Sequence, residues 1–446
     1  MSETVLAPRP DAVSPRAYVF PEVRTSSVGA GRILAAHLPG QPIAWFSVLL
    51  DGGALREPAG LDGLARATAG LLDEGTVKHT ADEFGTAVES LGGSWSVDTS
   101  WESVRLSIDL PIREASAGAD LLTEALRTPA FTDTDVERYL SDLVAAKREA
   151  FARPGPRAQA ALRGALYGAE HRYGRLAGGD PETAAALNAE AVRDFHATWL
   201  RHAGTLLIAG DLDRLDVEAL GRIVFGDLPA STPSTEPAPV PLSGPRRLVI
   251  ADRPGAVQST LRVGHPAPPR ANAAENGIDV VALRLGSTIL GGSFTSRLNH
   301  ELREVKGYTY GARAGFDFGR PLGMFSLDAD VRTDATAAAV GDALRVVEEY
   351  VDGGATADEL EKTRAYLAGA TPIGLQTAGA VGSRLVEMVR HKLPEDYVTT
   401  EHARLLEVTL DEVNAAVRAG LRPADLVVAV EGDESVIGAE LGALGL

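Results

Sequence analysis

An α+β fold in two homologous halves is what this sequence predicts, and three observations predict it. A proline-rich stretch divides the 446 residues near their middle, helix-then-strand segments recur at a nearly constant offset, and each half runs strands, helices, strands. The dividing stretch is GDLPASTPSTEPAPVPLSGPRR, residues 226–247. It holds Pro229, Pro233, Pro237, Pro239, Pro241 and Pro245. Proline fixes φ and removes a backbone donor, so this stretch reads as an extended linker rather than helix or central strand. The expected layout is a tail over 1–17, a first half over 18–226, a linker over 227–246 and a second half over 247–446.

The recurrence is specific. AVRDFHATWLRHAGTLLIAGD from Ala191 matches EVNAAVRAGLRPADLVVAVEGD from Glu412, with Leu200-Arg201 on Leu421-Arg422, an offset of 221 residues. TDTDVERYLSDLVAAK from Thr132 matches TADELEKTRAYLAGA from Thr356, an offset of 224. The first pair reads as helix, turn and apolar strand. The second reads as a helix with a Thr cap and acidic first turn. Two agreeing offsets point to duplication.

Within the first half, RILAAHL (32–38) and IAWFSVLLDGG (43–53) read as paired strands. Residues 61–75 and 81–93 read as helices, SWSVDTSW (94–101) with SVRLSIDLP (103–111) as a hairpin, 189–200 as helix and TLLIAG (205–210) as the closing strand. Each half is expected to hold two α/β sandwich units, each an antiparallel sheet with helices on one face.

Composition narrows the chemistry. With 45% hydrophobic and 23% charged residues the chain has an ordinary globular balance. Lys and Arg total 43 against 61 Asp and Glu, a formal charge of −18 with no long basic run, which disfavours nucleic-acid partners. There is no cysteine, which excludes thiolate catalysis and Cys-held metals. No apolar stretch is long enough to span a bilayer, and the first twenty residues lack a basic segment followed by an apolar one. A cytoplasmic chain without a membrane partner is expected.

In the second half, GGSFTSRLNHELREVKGYTYG (291–311) resembles the C-terminal-half signature of the M16, or pitrilysin-like, zinc peptidases. LLDGGALREPAGLDGLARATAGLLDEGTVKHTADEF (49–84) resembles the stretch where that family carries its metal motif, so the resemblance spans essentially the whole chain. The family motif is His-Xaa-Xaa-Glu-His on one helix, the histidines binding zinc and the glutamate polarising its water. Anchored on Gly75-Thr76, those positions are Arg66, Ala69 and Gly70 here. The further Glu ligand falls near Ala145 and Ala146. All the metal-binding groups are missing from these positions. Independently of any family, none of the nine histidines lies three or four residues from another, so no helix offers a His pair to one metal.

What the resemblance retains is Arg303 and, seven residues on, Tyr310, which the family uses to hold the scissile carbonyl. A guanidinium and a phenol aimed at a developing oxyanion are suited to that role. The plainer reading is an arginine placed favourably at a helix C-terminus and an ordinary strand tyrosine. Gly307 should end the helix carrying Arg303, and the following strand should bring Tyr310 back. Gly291, Gly292, Ser293 and Phe294 form the short counterpart of the family's glycine-containing substrate loop, too short for gating by a long loop. Gly92, Gly93, Ser94 and Trp95 match the family's substrate-pairing edge strand, although a plain hairpin fits them equally. His300 is a lone helical histidine. The cluster of Gly286 with Gly291 and Gly292 lacks the spacing of a nucleotide loop.

The resemblance therefore implies a non-catalytic subunit of a heterodimeric M16-type peptidase. It would hold no cofactor itself and lend Arg303 and Tyr310 to a partner that carries zinc on His-Xaa-Xaa-Glu-His, around a peptide in a closed chamber. Two rivals stand beside it: a structural or peptide-binding homodimer, and an enzyme whose metal site has moved.

Overall fold

The computed structural model describes residues 16–226, 228–230 and 240–446. Positions 227 and 231–239 of the expected linker, and most of the expected tail, lie outside these. The first half is built on six strands: β1 (Val23–Val28), β2 (Gly31–His37), β3 (Ile43–Leu50), β4 (Ser94–Thr99), β5 (Val104–Pro111) and β6 (Thr205–Gly210). The second half is built on five: β7 (Arg247–Asp252), β8 (Gln258–Ala267), β9 (Thr309–Phe318), β10 (Gly323–Arg332) and β11 (Val427–Gly432).

The sheet orders are β1-β2-β6-β3-β5-β4 and β7-β11-β8-β10-β9. Leaving out β1, the two orders are the same, strand for strand. In both, the last strand inserts parallel to the first and antiparallel to the second. This shared order is independent support for duplication. Both matched helices are capped as read: Thr132 accepts the Asp135 N–H at 3.2 Å, and Thr356 accepts that of Glu359 at 3.3 Å.

Three details differ from the sequence reading. The runs taken as paired, β2 and β3, are separated by β6. The reason is burial: β6 is apolar along its length and almost wholly covered, so it belongs in the middle of a sheet rather than at an edge. Each half also has one sheet rather than two, because residues 115–200 supply helices and no strand between β5 and β6. Finally, helices cover both faces of each sheet, not one.

That last difference organises the molecule. Side chains alternate across a strand, so each sheet offers two faces. In the first sheet Ile33, Phe46, Val48, Leu106 and Ile208 face the half's own helices, meeting Leu64, Phe84, Leu122 and Phe195. The opposite face, with Leu34, Trp45, Leu49, Leu207 and Ala209, is covered by Val381, Leu385 and Met388. These belong to the helix Ala378–His391 of the second half. Reciprocally, Leu162 of the helix Pro156–Tyr167 in the first half packs on Val427 and Ala429 of β11. Each half thus gives away one helix and receives one. Burying a leucine in this way contributes roughly 1.5–3 kcal/mol.

Two buried carboxylates fasten the exchange. Glu431, at the end of β11, accepts the N–H groups of Gly155 (2.9 Å) and Ala158 (3.3 Å) at the start of the incoming helix. Glu102, in the β4–β5 turn, pairs with Arg390 at 2.6 Å near the end of the other exchanged helix and accepts the Arg320 N–H at 3.0 Å. No helix of the described residues is long and apolar enough to cross a membrane.

Candidate functional site

The helix Leu64–Gly70 carries the three positions that match the metal motif. It enters on Gly63 at φ +98°, where an added Cβ would lie 2.7 Å from the Gly178 carbonyl, so glycine is required. Its first turn is held by Glu57, which accepts the Ala65 N–H at 2.9 Å while pairing with Arg172 at 2.5 Å. On this helix Arg66 is exposed and Ala69 is buried. At Gly70 an added Cβ would overlap the Tyr139 hydroxyl. Tyr139 comes from the helix Asp133–Ala152, which also carries Ala145, Ala146 and Lys147.

A zinc ion does not fit this seat. The three motif positions supply no imidazole or carboxylate, a tyrosine hydroxyl lies where a side chain at 70 would begin, and the one charged group among the three positions is the Arg66 cation. Lys147 Nζ lies 3.5 Å from the Gly179 carbonyl oxygen. Burial, and then the Arg66 charge, pull its ammonium below the usual lysine range.

Beyond this helix β4 is the free edge of its sheet, paired on one side only, with β5. Gly93, Ser94 and Trp95 stand at its start and line an open cleft of about 1040 Å³ together with residues 73–85. Gly92 precedes it at φ +68°. Three residues of this region were not singled out from the sequence. Asp73 has its carboxyl pushed up to about 6, chiefly by burial. His79 Nδ1 lies 2.7 Å from Glu124 Oε1, and Thr76 donates to the same oxygen. Burial raises Glu124, but the hydrogen bonds from Thr76 and His79 outweigh it and leave the group below its ordinary value. Glu124 is distant in sequence from both partners, so spacing gave no signal for it.

Arg303 and Tyr310 lie at the free edge of the other sheet. The helix around Arg303 is wound in wide π turns over His300–Val305, with Lys306 N–H bonding the Glu301 carbonyl at 3.0 Å. Gly307 ends it at φ +62°, as expected. Arg303 stacks 4.0 Å from the centre of the Phe294 ring, and its buried Nη1 makes no hydrogen bond among the described residues but pairs loosely with Glu304 at 3.6 Å. Tyr310 sits where the β9–β10 register breaks between Ala329 and Val331, and it is 94% exposed. Phe294 and Val305 are 69% and 57% exposed. The glycine segment divides: Gly291 is buried so tightly that a Cβ would lie 2.5 Å from the Ala314 nitrogen, whereas Gly292 is exposed and Ser293 half-buried. His300 is exposed, and its side chain has no partner among the described residues.

Among the described residues one trio, His37, Asp211 and Asp213, brings ligand atoms within 4.8 Å of one another. Its atoms are already engaged in holding the β6 turn: His37 Nδ1 accepts the Leu212 N–H at 3.2 Å, and Asp211 accepts those of Gly40 (3.1 Å) and Asp213 (3.3 Å).

Comparison with known proteins bears on the family and the fold. The profile of the insulinase (peptidase family M16) domain matches residues 32–173, and that of the peptidase M16 inactive domain matches residues 186–367. An uncharacterised zinc protease of Streptomyces coelicolor is 27% identical over 426 residues, covering 91% of this chain and 89% of its own. A non-peptidase homolog of Helicobacter pylori is 22% identical over 395 residues, covering 87% and 89%. The crystal structure of a peptidase M16 inactive domain from Pseudomonas fluorescens superposes with a TM-score of 0.84 at 23% identity, covering 92% of this chain and 98% of its own.

Proposed function

We propose, on the premise that this chain belongs to the M16 family of peptidases, that it is a non-catalytic subunit completing the active site of a zinc-bearing partner. The observation that carries this reading is the contrast between the two sheet edges. The motif positions carry Arg66, Ala69 and Gly70, with the Tyr139 hydroxyl against Gly70. Arg303 Nη1, by contrast, makes no hydrogen bond among the described residues and pairs only loosely with Glu304 at 3.6 Å, and Tyr310 projects into solvent. A guanidinium and a phenol so lightly engaged are suited to a substrate carbonyl held by another chain, and the exposed Phe294 and Val305 are suited to the contact. In this reading the partner carries zinc on His-Xaa-Xaa-Glu-His, the peptide is enclosed between the two chains in the cytoplasm, and Gly292, Ser293 and Phe294 border the peptide. The edge of β4, through Gly93, Ser94 and Trp95, offers main-chain groups for a peptide strand.

The test is reconstitution. The chain is mixed with an M16 chain bearing the intact motif, and cleavage of a fluorogenic peptide is followed. Arg303→Ala and Tyr310→Phe should each lower kcat/KM on the order of 10²-fold. Unchanged rates for both would remove the pair from the mechanism. A stable homodimer in sedimentation, with no affinity for the active homologue, would favour a peptide-binding scaffold instead.

A further inference from the structure

The place of the missing metal is not merely blank. Arg66 extends from the helix Leu64–Gly70 and Lys147 from the helix Asp133–Ala152 toward the same glycine. A Cβ built on Gly178 would lie 3.0 Å from Lys147 Nζ and 3.7 Å from Arg66 Cδ. The hydroxyl of Tyr139 stands against Gly70 one turn along. These three side chains are donors, and acceptors for them are scarce. Among the described residues Arg66 makes no hydrogen bond or ion pair, and Lys147 reaches only the Gly179 carbonyl. This is unusual in a chain of net charge −18. Three of the chain's other lysines, Lys78, Lys306 and Lys362, each have a carboxylate within 4 Å.

The nearby acids act on the pair only at a distance, each being in direct contact with another group. Glu57 is taken by Arg172 and the Ala65 N–H, Asp180 by the Thr183 N–H at 2.8 Å, and Asp62 by Arg175 at 2.6 Å. Glu74 is taken by Arg138 at 2.6 Å. Arg66 and Lys147 repel each other, and the Asp180 and Glu57 charges that reach Lys147 do not outweigh its burial and that repulsion. An incoming anion would relieve the repulsion while forming charge-assisted hydrogen bonds. The helix bearing Arg66 packs beside β4, so an extended chain added to that free edge would run next to this helix.

We infer that Arg66, Lys147 and Tyr139 form a carboxylate-binding site that takes an acidic group of a peptide lying along β4, from either a side chain or a C-terminus. The site thus holds an anion where the family's peptidases hold a cation. The peptide part rests on the proposed function, and the anion part does not.

The test exploits the lysine content, since Lys78, Lys147, Lys306, Lys362 and Lys392 are the only five in the sequence. Reductive ¹³C-methylation keeps their charge and gives each a resolved resonance. Titration with acetate should move the Lys147 signal saturably and raise its apparent pKa, leaving the other four unmoved, and Arg66→Gln should abolish the response. Three extended peptides are then compared: end-blocked with a central Glu, the same with Gln, and the Gln peptide with a free C-terminal carboxylate. At least one carboxylate-bearing peptide should bind roughly 10-fold or more tightly than the blocked Gln peptide, and Lys147→Gln should erase the difference while leaving Gln-peptide binding and thermal unfolding unchanged. Which peptide gains identifies the source of the carboxylate. No response of Lys147 to acetate, or an equal response of all five lysines, overturns the site. Saturation by phosphate without acetate binding does so too. Acetate saturation with no binding of any peptide would overturn the peptide assignment and the β4 reading together, leaving the anion pocket in place.

Discussion

The two halves share a strand order and differ at their edges. In the first, the edge strand β4 borders a cleft, a short helix and the filled metal seat. In the second, the edge strand β9 begins at a register break beneath a π-wound turn and presents Arg303 and Tyr310. The interior strands β6 and β11 are nearly interchangeable in burial and pairing. A central strand is constrained on both faces and both sides, so duplication leaves it little freedom. An edge strand has one unpaired side and one neighbouring loop system, and there the copies have diverged. The residues of the proposed function lie at these edges, and Glu102 ties the β4–β5 turn to the exchanged helix Ala378–His391.

The comparison is broken most severely by attacking the exchange. Leu385→Ala should cost about 2–5 kcal/mol in urea unfolding, and Leu162→Ala somewhat less, because Leu385 lies in a broad cluster while Leu162 meets chiefly Val427 and Ala429. Equal costs would show that the two exchanges carry equal weight. Next come the fasteners. Glu431→Gln and Glu102→Gln should each destabilise by about 1–3 kcal/mol, since both leave buried donors with a weaker acceptor. The change at Glu431 should loosen the helix Pro156–Tyr167 selectively in hydrogen exchange, and that at Glu102 the helix Ala378–His391.

The smallest effect is a pH slope. His196 in the first half and His265 in the second are both pushed down to about 4, chiefly by burial. A base whose folded value lies below its unfolded one gives its full stability above pH 6.5 and loses it as pH falls toward 4. Asp73, raised to about 6 and present only in the first half, acts with the opposite sign: its contribution is greatest below about pH 4 and is lost as pH rises through 6. Urea midpoints between pH 4.5 and 7 should therefore fall less steeply on acidification in His196→Gln and His265→Gln, and more steeply in Asp73→Asn. Parallel slopes in all three variants would contradict these environments.

Local order was legible because it is written locally. The apolar run TLLIAG, the Thr caps at 132 and 356, and the Gly307 stop are each set by a few neighbouring residues. The separation of β2 from β3 was not, because it depends on a strand arriving from residue 205. The helix exchange was hidden for a related reason: Val381, Leu385 and Met388 make an apolar stripe that fits any sheet, and nothing in the stripe says whose. At the candidate site, the family resemblance pointed to Arg303 and Tyr310 and to Arg66, Ala69 and Gly70 at the positions of the metal motif. Tyr139 and Lys147 escaped notice since they reach the same pocket from a different helix. The one available sign was a lysine directly after Ala145 and Ala146, in a chain that uses arginine almost everywhere else.

The traded helices also bear on ancestry. A half-length polypeptide with this strand order would leave one sheet face bare in isolation, and two identical copies swapping that helix would cover each other through an isologous contact. Joining the genes of such a pair preserves the contact and removes its dependence on concentration. Once fused, the copies no longer had to stay identical, so the two rims were free to diverge while the shared interior strand order persisted.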